Sequence, residues 1–167
     1  MIENYAVING KRVELTDEQV KALGVESVET KTNPFNRMGL GSYCYSLNFD
    51  GTAWTFTEDN SMKVNHMYRN CNYFNDKDFA QQVALHQLLY RKLLKFSYDN
   101  GFEDDQEWDC ENRHYHVYYS HAYKIFTTEL NYEGKHPGVY FPSQEAANRA
   151  IEEVIKPFVK EHPDFVW

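Results

Sequence analysis

Apolar and polar residues alternate with period two over some stretches of the chain and recur every three to four residues over others. That rhythm sets the first outline of the fold. In SYCYSLNFDGTAWTFTED, residues 42–59, alternation puts Tyr43, Tyr45, Leu47 and Phe49 on one face. Trp54 and Phe56 come to a shared side beyond Asp50-Gly51, a dipeptide suited to a tight hairpin turn. Helical periodicity takes over in DKDFAQQVALHQLLYRKLLKFSYD, residues 76–99. Wound at about 100° per residue, it gathers Phe79, Val83, Leu85, Leu89, Tyr90, Leu93, Leu94 and Phe96 into an apolar arc. Gln81, Arg91, Lys92, Lys95 and Asp99 lie opposite. Leu88 falls on the polar side, and His86 falls inside the apolar arc, where a packed and hydrogen-bonded histidine is expected. Asn75 or Asp76 supplies the cap, and Gly101 stands just beyond the end.

Three further runs rich in aromatic and β-branched residues, HYHVYYS, KIFTTELNY and GVYF, predict strands, with EGKHPG as the turn between the last two. Ser143 then caps a second amphipathic helix, whose stripe is Ala147, Ala150, Ile151, Val154, Ile155 and Phe158. Pro157 is expected to kink or end it. Residues 60–74 carry no periodicity and predict an irregular segment with a short strand inside. A terminal Trp167 is expected to pack back on the body.

At the start of the chain, YAVINGKRVEL predicts two short strands around Asn9-Gly10. TDEQVKALG predicts a short helix with a Thr16/Gln19 capping box and a Gly24 stop. The resulting plan is an α+β fold: a mainly antiparallel sheet packed against one long central helix and a C-terminal amphipathic helix, with a small N-terminal hairpin-helix arm. Its parts are the arm at 1–24, a linker at 25–33, and a single α+β domain at 34–167.

Length and composition agree with one core: 167 residues, of which 42% are apolar. No stretch reaches the roughly 18 consecutive apolar residues of a membrane span, and MIENYAVING lacks the pattern of a secretion signal. The three cysteines, Cys44, Cys71 and Cys110, are odd in number and widely spaced, which predicts reduced thiols and a cytoplasmic protein.

Charge changes the picture by its position. Of 25 acidic residues six stand in FEDDQEWDCE, leaving 19 against 17 basic residues elsewhere, so most of the net charge of −8 sits there. Such a run repels nucleic acid and attracts a cationic protein surface. The candidate contact residues are Glu103, Asp104, Asp105, Glu107, Asp109 and Glu111 for charge and Trp108 as an aromatic anchor.

Three of the seven histidines stand in RHYHVYYSHAY. On a strand, His114 and His116 share one face while Tyr115, Val117 and Tyr119 take the other, so the apolar set is expected toward the core. His114, His116 and His121 are weak metal candidates, since no Cys-x-x-Cys pair accompanies them, and no metal or cofactor is expected. Dinucleotide, P-loop, zinc-protease and serine-hydrolase signatures are absent, which argues against an enzyme assignment.

INGKRVELTDEQVKALG, the NPF at 33–35, ALHQLLYRKLLKFSYDNG, GVYFPSQEAANRAIEEVIKPF and KEHPDFVW together resemble a family of small phage and mobile-element proteins of Firmicutes. The resemblance covers nearly the whole chain and carries no active-site residues. It implies a mobile-element setting, in which small proteins without enzyme motifs are often inhibitors of host defence, anti-CRISPR proteins among them. The expectation is a stoichiometric inhibitor of a bacterial defence nuclease in the host cytoplasm, type II CRISPR being the most plausible. Two alternatives stand beside it. One is a nucleic-acid-binding accessory protein using sheet Tyr and His residues with Arg91, Lys92 and Lys95. The other is a phage structural or assembly protein.

Overall fold

A computed structural model of the chain describes residues 5–8, 11–23, 33–104 and 107–167. It divides into two units, Met1–Asn33 and Pro34–Trp167. In the first, β1 (Tyr5–Ile8) pairs antiparallel with β2 (Lys11–Glu14). The capping box closes as its spacing requires at the head of α1 (Asp17–Ala22). The Thr16 amide donates to Gln19 Oε1 at 2.9 Å, and the Gln19 amide donates to Thr16 Oγ1 at 3.3 Å. The expected turn at Asn9-Gly10, the Gly24 stop and most of the expected linker lie outside the described residues.

The second unit is α+β, and every strand pairing in it is antiparallel. Its strands form two sheets where one was expected: the hairpin β3 (Tyr43–Leu47) with β4 (Ala53–Thr57), and a three-stranded sheet ordered β6-β5-β7. In that second sheet β5 (His114–Ser120) is central, between β6 (Ile125–Asn131) and the short β7 (Tyr140–Phe141).

The hairpin corrects the alternation argument. Leu47 pairs with Ala53, so Cys44 stands opposite Phe56 and Ser46 opposite Trp54. Cys44 and Ser46 are the buried residues, whereas Tyr43 and Phe49 are exposed, Phe49 at 95%. The parity of the loop decides which face turns inward, and here it overrides the larger side chains. At the turn Gly51 adopts φ +88°, and a Cβ there would meet Leu88 Cδ2 at 2.6 Å. Leu88 on the supposed polar side of the long helix is thereby explained, because the hairpin turn covers it.

Residues 60–74 hold an eight-residue helix, α2 (Met62–Arg69), where an irregular segment with a short strand was expected. Ser61 caps it by accepting from the Val64 amide at 3.3 Å. Only Val64 is buried, with Met67 packed beside it, too few positions to leave a helical period in the sequence. Phe74 forms one isolated bridge to Tyr45.

One buried carboxylate ties this region together. Glu58, 2% exposed, accepts from Arg37 Nε and Nη2 at 3.0 and 3.1 Å, from the Asn60 amide at 2.9 Å and from the Tyr73 hydroxyl at 3.0 Å. The Tyr73 oxygen in turn accepts from the Met38 amide at 2.9 Å and the Cys44 thiol at 3.0 Å. Arg37 holds the Glu58 carboxyl below its ordinary value, while burial pushes the Tyr73 hydroxyl and the Cys44 thiol up.

The main core lies between α3 (Lys77–Asp99) and the C-terminal helical run, and includes Leu85, Leu89, Leu93, Phe141, Ile155 and Phe158. Asp76 caps α3 through the Phe79 amide at 3.0 Å. The C-terminal run is α4 (Gln144–Ala150), a π-helical turn over Ile151–Ile155, and α5 (Lys156–Glu161). Pro157 does not end it. The Lys156 amide donates to the Ile151 carbonyl five residues back, and this wider turn passes the chain into α5 while Ile151, Ile155 and Phe158 all stay buried. Beyond it Gln82 brackets the tail, donating to the Asp164 carbonyl at 2.8 Å and accepting from the Val166 amide at 3.0 Å. Trp167 sets its ring edge-on to Phe126, 5.0 Å between centroids. Among the described residues no helix is long and apolar enough to cross a membrane.

Candidate functional site

The acidic loop begins where α3 stops. Gly101 takes φ +86° and the Phe102 amide returns to the Ser97 carbonyl at 3.1 Å, so the chain leaves the helix sharply. Trp108 then folds back on the sheet. Its ring stacks on His114 at 3.7 Å and 9°, and meets Tyr140 edge-on at 4.9 Å. His114 Nε2 lies 3.2 Å from the Glu107 carbonyl, which can only accept, so that nitrogen carries the proton.

The acids divide into two groups. Asp109 is consumed by the loop itself, accepting from the Glu111 and Asn112 amides at 2.8 Å each, and these bonds hold its carboxyl below the ordinary value. Asp104 is paired with Lys135, whose Nζ lies 2.7 and 2.9 Å from the two carboxylate oxygens. Glu103, Glu107 and Glu111 are exposed, and no ion pair among the described residues involves them. Asp105 lies outside the described residues. Trp108 is half-buried with one face against His114, so within the chain it fastens the loop to the domain. Cys110 donates to Glu133 Oε1 at 2.8 Å, and that carboxylate pushes the thiol's pKa up.

The histidine-rich strand departs from expectation on one face. Tyr115 and Val117 do pack on the core. His114, however, is 5% exposed, because Trp108 covers it from a loop that strand alternation takes no account of. His116 is partly buried and lies 3.5 Å from Glu129 Oε2, while His121 is exposed beyond the strand. Among the described residues no group of three or more His, Cys, Asp and Glu side chains is placed to hold a metal ion.

A cleft of about 600 Å³ lies between α3 and the segment leading into β7. Its floor is apolar, built from Leu89, Leu93, Val139 and Phe141, and its polar rim carries His86, Tyr90, Arg91, His116 and His136, with Trp167 beside them. His86 is therefore exposed on the cleft, not packed within the core as the helical wheel predicted, and its ring rests against Phe165 at 4.7 Å. Arg91 donates to the Phe49 carbonyl at 2.7 Å, which ties it to the hairpin turn. The Tyr140 hydroxyl takes the His136 amide at 2.7 Å and fixes the turn that carries His136. Burial pushes the His116 imidazole below its ordinary value, against the opposing pull of Glu129. His86 and Tyr90, four apart on one helix, were the only local hint of this grouping. His136 and Trp167 join them through tertiary structure.

The chain matches no protein-family model, no curated protein and no solved structure.

Proposed function

We propose that the chain is a stoichiometric inhibitor that binds a bacterial defence nuclease, of the guide-RNA-directed type II class, through the acidic loop at 103–111. The observation that carries this reading is the division of labour in the loop. Trp108 and the Asp104–Lys135 ion pair fasten it to the domain, Asp109 braces residues 109–112 from within, and Glu103, Glu107 and Glu111 remain exposed for a partner. Where its described residues are already held, such a loop loses less conformational freedom on binding, so its charge acts with less entropic opposition. Nucleases of this class grip nucleic acid in a positively charged channel, where a fixed anionic edge competes with phosphate. The mobile-element setting implied by the family resemblance supports the same partner. The nucleic-acid-binding alternative has less free cationic charge to draw on, since Lys95 pairs with Asp99.

The test is capture of a purified type II nuclease by the immobilised protein, compared with the variant Glu103→Gln/Glu107→Gln/Glu111→Gln. Capture should fall about tenfold in the variant and weaken as salt rises from about 50 to about 200 mM. Undiminished capture by the variant removes the loop from the interface, and absence of capture by the native chain removes the partner.

A further inference from the structure

We propose that the cleft between α3 and the turn before β7 binds a small organic anion with a flat apolar body, of the class of two-ring aromatic carboxylates. Three features of the cleft lead to that chemistry. Its volume of about 600 Å³ falls within the range of small-molecule sites and exceeds what one or two rings require. Its floor of Leu89, Leu93, Val139 and Phe141, with Trp167 and Tyr90 alongside, offers flat apolar contact.

The third feature is charge. In a chain with a net charge of −8, no Asp or Glu among the described residues lines this cleft, whereas Arg91 and three histidines do. The cleft therefore discriminates by sign against the surrounding surface. Arg91 is the one permanent cation among the described residues that line it, and its bond to the Phe49 carbonyl leaves further N–H donors on the guanidinium. His116 is held toward its neutral form by burial, with Glu129 and His136 as the charged or titratable groups acting on it, so it contributes a hydrogen bond in preference to a charge. One guanidinium beside the His116 imidazole, held toward its neutral form, suits a single carboxylate better than a dianionic phosphate. The site is independent of the acidic loop, because none of the loop's described residues lines it.

The test is titration of the full chain with 2-naphthoate, followed by calorimetry and by the imidazole resonances of its histidines. We expect saturable one-to-one binding at about 1 mM or tighter, the affinity that ordinary ligand efficiency gives a molecule of this size. The His86, His116 and His136 resonances should shift, while those of His66, His121 and His162 stay in place. The neutral isostere 2-naphthylmethanol should bind about tenfold more weakly, and Arg91→Gln should cost a similar factor for naphthoate. His136→Ala, at an exposed turn position, gives a second variant in case the hairpin contact of Arg91 matters to folding. The variant with three loop glutamates changed to glutamine should bind naphthoate unchanged, which separates this inference from the proposed function. Equal binding of the alcohol, shifts confined to other histidines, or no saturable binding overturns the assignment. Tighter binding of adenosine monophosphate than of naphthoate overturns the single-carboxylate chemistry.

Discussion

Glu58 shows how a single side chain can be invisible in sequence and central in space. It follows a hairpin strand in a Thr-Glu-Asp string that suggests solvent, yet four donors surround it and Arg37 neutralises it. Glu58→Gln should destabilise the protein by about 2 kcal/mol, less than for a fully buried pair because Arg37 is partly exposed. The pH dependence has a definite sign. The folded carboxyl is held below its unfolded value, so its stabilisation is complete above the unfolded value and disappears as pH falls through the folded one. The gap between native and variant urea midpoints should therefore be wide at about pH 7 and narrow as pH falls below the ordinary carboxyl range. A gap of constant width would mean that packing, and not the ionised carboxylate, makes the difference. His86 and His114 teach the same lesson with opposite outcomes. Helical winding buried the first, but the cleft leaves it open. Strand alternation exposed the second, but Trp108 covers it.

Among elements, those with capping and turn chemistry were legible. Asp76 and Ser143 cap the two main helices through the Phe79 and Ala146 amides, and Asp50-Gly51 turns the hairpin. Each of these signals is local, a side chain bonding its own backbone within three residues. The inward face of the hairpin was not legible, because it depends on a pairing register that the sequence leaves open by one residue. Gly51 joins both kinds of information: its positive φ is local and its contact with Leu88 is tertiary. Gly51→Ala should cost about 1–2 kcal/mol, a fall of roughly 2–8 °C in Tm, whereas Gly39→Ala should be near neutral, since Gly39 has neither a positive φ nor an atom within 4 Å of an added Cβ. Equal effects at the two positions would refute the strain argument. The π turn at Ile151–Ile155 belongs to the same scale. Pro157 alone predicts a helix that kinks or ends, and the burial of residues on both sides of it explains why the chain widens one turn and continues.

At the scale of the molecule, the described residues of both apolar clusters belong to Pro34–Trp167. A chain of residues 34–167 alone should therefore fold cooperatively, with Tm within about 4 °C of the full protein, equivalent to no more than roughly 1 kcal/mol. A larger fall would assign stabilising contacts to the first 33 residues. Sequence alone determined the α+β class, the positions and caps of the two main helices, the apolar stripe of the C-terminal helix and the local concentration of acid, because each is written in neighbours within a few residues. Only the tertiary structure decided which acids stay exposed, which histidines are covered and which meet around the cleft. Those outcomes depend on residues far apart in the chain: Lys135 reaching Asp104, Trp108 closing over His114, and His136 and Trp167 arriving opposite α3. Periodicity records the face a residue presents to its own element, and packing between elements chooses what that face meets.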